Sequence, residues 1–253
     1  MIKRFKSKVN AIRLNINSAI RKYSIHRNLD KAKVQHLDKS IQSKYSWYGS
    51  SYGGFYIIPQ LLNESSIVYS FGIGKDISFD MKVMKKHHCK VFGFDPTPVS
   101  INWIKEQKIP ALFSFHEYGI SSKNEMKEFY IPENPKYVSG SMLKENVTID
   151  SVKINVQMKS FHQVTTELGH RHVDVLKMDI EGSEYEVLEN ILESPVTVDQ
   201  ILVEFHDRLF EGQEYKSKNI VEQMKEKGYE IFAASMSYEE ISFVHQRKLK
   251  NIT

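Results

Sequence analysis

Residues 173–186, VDVLKMDIEGSEYE, carry an apolar run that stops abruptly in alternating charges, and few architectures can use such a segment. Val173, Val175, Leu176, Met178 and Ile180 suit a strand covered on both faces, as in a parallel sheet buried under helices. Gly182 then supplies a turn, and Ser183 a helix N-cap for EYEVLENIL. In open α/β sheets ligands sit outside the carboxyl ends of the strands, so Asp179 and Glu181 are expected to face a crevice rather than a core. An ordinary solvated strand end is the bland reading of this segment taken alone.

A second stretch, SIVYSFGIGKDISFDMKVMKK, reads as a short apolar strand (Ile67 to Phe71), a glycine turn (Gly72, Gly74) and an amphipathic helix beginning near Asp76. Glycines there let the backbone turn tightly and let a ligand approach without meeting a Cβ. About twenty residues on, CKVFGFDPTP gives a second strand ending in Asp95. From that position a carboxylate accepts hydrogen bonds from ribose hydroxyls. Thr97 and Pro98 then start a helix as N-cap and first-turn residue. The order of strand, glycine turn and acid predicts an adenosine-containing cofactor over Phe71, Gly72, Gly74, Asp95 and Pro96.

The remaining segments complete an α/β chain with a mostly parallel sheet. Ala111 to His116 reads as a third strand, Ser183 to Leu192 as a helix, DQILVEFHDR as a buried strand and Tyr215 to Lys227 as a helix. GYEIFAASMSYEEISFVHQ alternates on both sides of SMSYEE, which predicts a C-terminal antiparallel hairpin. Between these lies an inserted β segment. Glu125 to Gly140 is polar with Pro132 and Pro135, and SVKINVQMKSF alternates like a strand. The insertion is expected to add strands or a lid over the acceptor, with Ser139, Gly140 and Ser141 as a hydroxyl-rich turn or a plain loop.

The segments GSSYGGFYI, SFGIGKDISFD, VFGFDPTP, HEYGISSKN, VDVLKMDIEGSEYEVL and ILVEFH together resemble the FkbM-type S-adenosylmethionine-dependent methyltransferases, from about Tyr48 to Gln246. The most selective piece is K-x-D-x-E-G after a VDVL strand, coinciding with FDPTP. This resemblance implies a Rossmann-like class I methyltransferase fold, for which a closing hairpin is the usual ending. It also implies S-adenosylmethionine as cofactor and methyl transfer to a hydroxyl of a carbohydrate or other small natural product. The third glycine of a dinucleotide fingerprint is replaced around Asp76, which suits a pyrophosphate poorly but costs a phosphate-free cofactor little. Ser70 stands where the broader pattern often has an acid that helps hold the methionine amine, and Asp76 is the candidate to take that role. The matching family segment places Tyr118, Gly119 and Ile120 beside the adenine.

Methyl transfer needs an acceptor oxygen held in line with the sulfonium and a group to take its proton. The candidates are Asp179, Glu181, Glu204 and His206. Glu204 and His206 are two apart on one predicted strand and so share a face, with Phe205 turned the other way. His206 as general base is the preferred role; a divalent cation on Asp179, Glu204 and His206 is the second, and structural hydrogen bonding of His206 the third. Two other functions use the same elements. A nicotinamide-dependent sugar oxidoreductase would share Gly72, Gly74 and Asp95, but would keep a fuller glycine fingerprint and a Tyr/Lys hydride-site pair. A non-catalytic cofactor-binding scaffold would bind nucleic acid through its N-terminal arm, which the arm's shortage of aromatic residues disfavours.

Charge separates that arm from the rest. Residues 1–44 hold 12 Lys and Arg against two acids, a net +10, so a chain of total charge +4 leaves −6 for the remainder. We divide the sequence into a basic, helical arm (1–45) and a catalytic domain (46–253). Apolar residues recur among the arm's basic ones at helical spacing, so it is expected to pack on the domain or on a second copy, or else to touch an anionic membrane surface. No apolar run is long enough to span a bilayer and no signal-peptide core is evident, which points to a cytoplasmic protein, peripheral to membrane at most. The single cysteine, Cys89, excludes an internal disulfide. With His87 and His88 it reads as a helix end and a buried thiol rather than a metal site.

Overall fold

A computed structural model of the chain describes residues 2–132, 151–210 and 216–251. The chain starts with helix α1 (Ile2–Arg27) and the short helix α2 (Lys31–Val34), then forms an antiparallel pair, β1 (Ser46–Tyr48) with β2 (Phe55–Ile57). From there strands and helices alternate: β3 (Ile67–Phe71), α3 (Ser78–His87), β4 (Lys90–Phe94), α4 (Pro98–Lys105) and β5 (Phe113–His116). The second half continues with α5 (Phe161–Leu168), β9 (His172–Met178), α6 (Glu184–Leu192), β10 (Thr197–Glu204), α7 (Lys216–Glu226), β11 (Tyr229–Ala234) and β12 (Glu240–His245). Between the halves lie β6 (Gly119–Ile120), β7 (Glu125–Pro132) and β8 (Ser151–Lys159).

Seven strands form one sheet in the order β11-β12-β10-β9-β3-β4-β5. The pairs from β10 to β5 are all parallel, and β12 runs antiparallel to both β10 and β11. The closing hairpin therefore forms as expected, but its second strand turns back between β10 and β11. This is the mostly parallel α/β sheet with a closing antiparallel hairpin that the sequence predicts. Its apolar strands are buried on both faces. Phe71, Leu176, Met178 and Val203 pack with α5, α6 and α7, while Val68, Val91, Val175 and Leu202 pack with α3, α4 and the β1–β2 pair. Helices on both faces are what near-continuous apolar strands require.

The inserted strands make a separate sheet, β6-β8-β7, around Phe129, Val156 and Met158. The turn expected at Ser139–Ser141 lies outside the described residues. Thr97 caps α4 by accepting from the Ser100 amide, with Pro98 in the first turn, as predicted. Ser183 takes the N-cap position of α6, but the amides of the preceding turn, Ile180 and Gly182, donate to Glu184 instead. Cys89 is fully buried, and Nε2 of His87 sits 3.0 Å from the Tyr48 hydroxyl. Sheet order reverses between β3 and β9, and the carboxyl ends of β3, β4, β9 and β10 bring the predicted site residues together there.

Candidate active site

The glycine turn after β3 passes against the end of β9. Gly72 lies at φ +80°, and a Cβ built there would sit 1.7 Å from the carbonyl oxygen of Asp179, so no other residue fits. The loop is anchored by Asp95 at the end of β4. One carboxylate oxygen accepts from the amides of Ile73 (3.0 Å) and Gly74 (2.9 Å). The other accepts from the amide (2.9 Å) and hydroxyl (2.6 Å) of Thr97. A carboxylate offers about four lone-pair sites, and four protein donors use them. Asp95 is therefore first an organiser of the loop, and a ribose hydroxyl would have to replace one of these donors.

Beside the loop opens a pocket whose walls include Phe71, Gly72, Gly74, Asp76, Asp95, Pro96 and Gly119, all expected from the sequence. Phe94, Ile120, Phe129 and Met158 add apolar surface. Of the two expected roles of the insertion, extra strands are what the described residues form, and Phe129 of β7 and Met158 of β8 line this pocket. Tyr118 is corrected, because it is not part of the wall: its ring packs 5.5 Å from that of Phe94, with the Lys159 ammonium 4.0 Å over its face. Asp76 does line the pocket, but it also holds the backbone, accepting from the Ser78 amide and the Ser50 hydroxyl. Ser50 in turn accepts from the amides of Tyr52 and Gly53, bringing the SSYGG loop to the pocket edge.

At the ends of β9 and β10 the four acceptor-side candidates meet. Strand β10 ends at Glu204, and the two following residues are irregular, so Glu204 and His206 do not share a strand face as predicted. They converge nonetheless, while Phe205 turns away to stack on Tyr185. Nε2 of His206 lies 3.4 Å from Glu181, 3.7 Å from Glu204 and 3.8 Å from Asp179. Its Nδ1 is 2.9 Å from the fully buried Glu184. Burial disfavours the imidazolium, but Glu184, Glu204 and Asp179 outweigh it and push the His206 pKa up to about 10. A ring held protonated is a poor acceptor of a proton at neutral pH, which weakens its role as a simple base. Burial raises the Glu204 pKa well above the usual carboxylate range, and the neighbouring Asp179 and Glu240 raise it further.

These acids also line a second cavity of about 360 Å³, closed on its far side by α1 through Asn17, Ser18, Arg21 and Lys22. The arm is docked here as part of the fold. Lys22 pairs with the buried Glu240, Arg21 and Arg208 both pair with Glu239, and Ser18 and Lys22 donate to the carbonyl of Ser51. Tyr52 lines both cavities. Its phenol is kept protonated by burial and by Asp179, Glu181, Glu204 and Asp76. Tyr52, Lys177 and the α1 residues were missed by sequence reasoning. The GSSYGG and K-x-D-x-E-G segments marked the first two, whereas nothing local marked the third. No helix among the described residues is long and apolar enough to cross a membrane.

A family model described as the Methyltransferase FkbM domain matches residues 66–231. Two curated proteins are similar over 154 residues, both called "Probable methyltransferase-like protein 24": the Homo sapiens one is 24% identical and the Rattus norvegicus one 23%. Each alignment covers 60% of this chain and 36% of the relative, so the match spans about a third of those proteins' length. Among solved structures, fibrillarin of Aeropyrum pernix with natively bound S-adenosyl-L-methionine gives a TM-score of 0.40 at 11% identity, covering 73% of this chain and 67% of that one. Human N-acetylserotonin methyltransferase in complex with the same cofactor gives 0.37 at 11%, covering 74% and 48%.

Proposed function

The chain belongs to the FkbM methyltransferase domain family, and from that premise we propose that it moves a methyl group from S-adenosylmethionine to a hydroxyl of a carbohydrate or other small molecule. The observation that carries this reading is the charge of the pocket at the glycine turn. Among the described residues its walls hold the carboxylates of Asp76, Asp95, Asp179 and Glu181 and a single cation, Lys177, whose ammonium is tied to the Gly72 carbonyl at 3.1 Å. Such a pocket suits a nucleoside carrying a sulfonium and an ammonium. It repels the pyrophosphate of a nicotinamide cofactor.

The bound cofactor supplies an electrophilic methyl group on a cationic sulfur. The chain's own part is to hold and orient. Phe94, Ile120, Phe129 and Met158 give the adenine an apolar slot, Asp95 and the loop amides stand at the ribose, and Asp76 is the acid nearest the methionine amine in our assignment. An acceptor enters the second cavity, between the strand ends and α1. With the cofactor bound, that oxygen would take the methyl group, the sulfur keeping the electrons of the broken sulfur–methyl bond. The hydroxyl proton passes to the carboxylates around His206. In-line placement of oxygen and methyl carbon is what this two-chamber arrangement, joined at Tyr52, Asp179 and Glu181, would contribute.

Calorimetry with S-adenosylhomocysteine and with NAD tests the cofactor assignment. Saturable binding of the first and none of the second is expected, and the reverse pattern would turn the reading to the oxidoreductase. Asp95→Ala should weaken S-adenosylhomocysteine binding by more than about tenfold, partly through the released loop amides. Unchanged affinity in that variant would leave the ribose end of the assignment without support.

A further inference from the structure

Three carboxylates surround one ring nitrogen at the joint between the two cavities. The 3.4–3.8 Å separating Nε2 of His206 from Asp179, Glu181 and Glu204 is longer than a hydrogen bond. It is close to the spacing of ligands that share an ion: two atoms each about 2.1 Å from a centre, at tetrahedral to octahedral angles, stand about 3.0–3.4 Å apart. His206 is 1% exposed, and its hydrogen bonds are made at Nδ1, to Glu184 (2.9 Å) and to the carbonyl of Glu204 (3.1 Å). Nε2 thus faces the carboxylates of Asp179, Glu181 and Glu204 at ion-pair distance.

The supporting shell is built as well. Glu184 is fully buried and fixed by the amides of Ile180 and Gly182, and it faces Nδ1 of His206. In the neutral ring that a cation would select by displacing the Nε2 proton, an Nδ1–H donated to Glu184 leaves the lone pair of Nε2 toward the cavity, the arrangement by which proteins orient a metal-ligating histidine. A second triad provides the contrast. His172, Asp174 and Asp199 also converge, at the opposite end of the sheet, but Arg247 (3.0 Å) and Lys248 (2.8 Å) already occupy the Asp199 carboxylate. That triad is an ion-pair network.

We propose that Asp179, Glu181 and Nε2 of His206, whose ligand atoms lie within 4.8 Å of one another, bind one divalent cation, of the oxygen-preferring kind such as Mn²⁺ or Mg²⁺. Its catalytic role, lowering the pKa of an acceptor hydroxyl in the second cavity, rests on the methyl-transfer reading; the binding itself does not. Full-length protein stripped with chelator should take up one Mn²⁺ per chain, followed by the loss of the free-ion paramagnetic resonance signal. Asp179→Asn and Glu181→Gln, two near-isosteric changes, should each weaken uptake by more than about tenfold. His172→Gln should leave it unchanged. No stoichiometric uptake, or uptake by the Asp179→Asn and Glu181→Gln proteins equal to that of the parent with unaltered circular dichroism, would overturn the proposal. S-adenosylhomocysteine calorimetry on the same samples keeps the two readings apart. Cofactor binding without Mn²⁺ uptake sinks the cation alone, and uptake without cofactor binding sinks the methyl-transfer reading alone.

Discussion

Glu181 lies at φ +52° and Gly182 at φ +103°, so the turn after β9 puts a residue with a Cβ in the left-handed region just before a glycine. That conformation costs about 1 kcal/mol for a side chain such as glutamate and less for asparagine. The strain is held because the amides on either side, Ile180 and Gly182, are both committed to Glu184, and the result is a carboxylate aimed at His206. Glu181→Asn should therefore raise the midpoint of thermal unfolding by up to about 2–4 °C, since it relieves both the backbone and the crowding of acids. The same change should lower Mn²⁺ uptake and turnover. A midpoint that falls instead would show that the Glu181 contact with His206 outweighs the strain.

Strands β9 and β10 are pinned at their amino ends by a second charged group. His172 at the start of β9 lies 3.0 Å from Asp199 of β10, and the carboxylates of Asp174 and Asp199 raise its pKa to about 9. Burial of Asp199 opposes its ionisation, but His172, Lys248 and Arg247 overcome this and hold it at about 2. The histidine's folded pKa is above its ordinary 6.5, so its contribution is complete below 6.5 and lost as pH rises through about 9. The carboxylate's is below its ordinary 3.8, so its contribution is complete above 3.8 and lost as pH falls through about 2. Melting curves of the parent protein and His172→Gln should differ most between pH 3.8 and 6.5 and coincide above about 9. A gap that persists at high pH would mean that packing, not charge, carries the effect. Both strands were legible in the sequence, as were the glycine turn and Asp95, because a buried parallel strand ending in acids is a local pattern. Two other features were not. Alternation in a hairpin does not say which strand docks, so β12 between β10 and β11 had to come from tertiary packing. Nor does a strand-like insertion reveal which pocket it lines, and Phe129 of β7 and Met158 of β8 stand at the one beside the glycine turn.

Docking of α1 joins the ends of the chain, and no sequence window could have shown it: Arg21 and Lys22 meet Glu239 and Glu240 across 218 positions. The arm's expected packing on the domain is seen in this segment, while Ile16, Ile20 and Tyr23 remain exposed. Because α1 walls the second cavity but not the pocket at the glycine turn, its loss should affect the acceptor and spare the cofactor. The contact that decides this is Lys22 with Glu240, whose side chains are 13% and 1% exposed. Removing one partner of so buried a pair leaves a charge without compensation and costs about 3 kcal/mol, whereas replacing both by neutral groups of similar size costs far less. Lys22→Met should accordingly destabilise the protein by about that amount and reduce turnover, with S-adenosylhomocysteine affinity held. Adding Glu240→Gln to that variant should restore most of the stability and return α1 to its place, so turnover should recover with it. Denaturant unfolding, cofactor calorimetry and methyl transfer measured on the two single variants and the double would check all three links. Weakened cofactor binding in Lys22→Met, or a double variant no more stable than the singles, would show that α1 is held by something other than this ion pair.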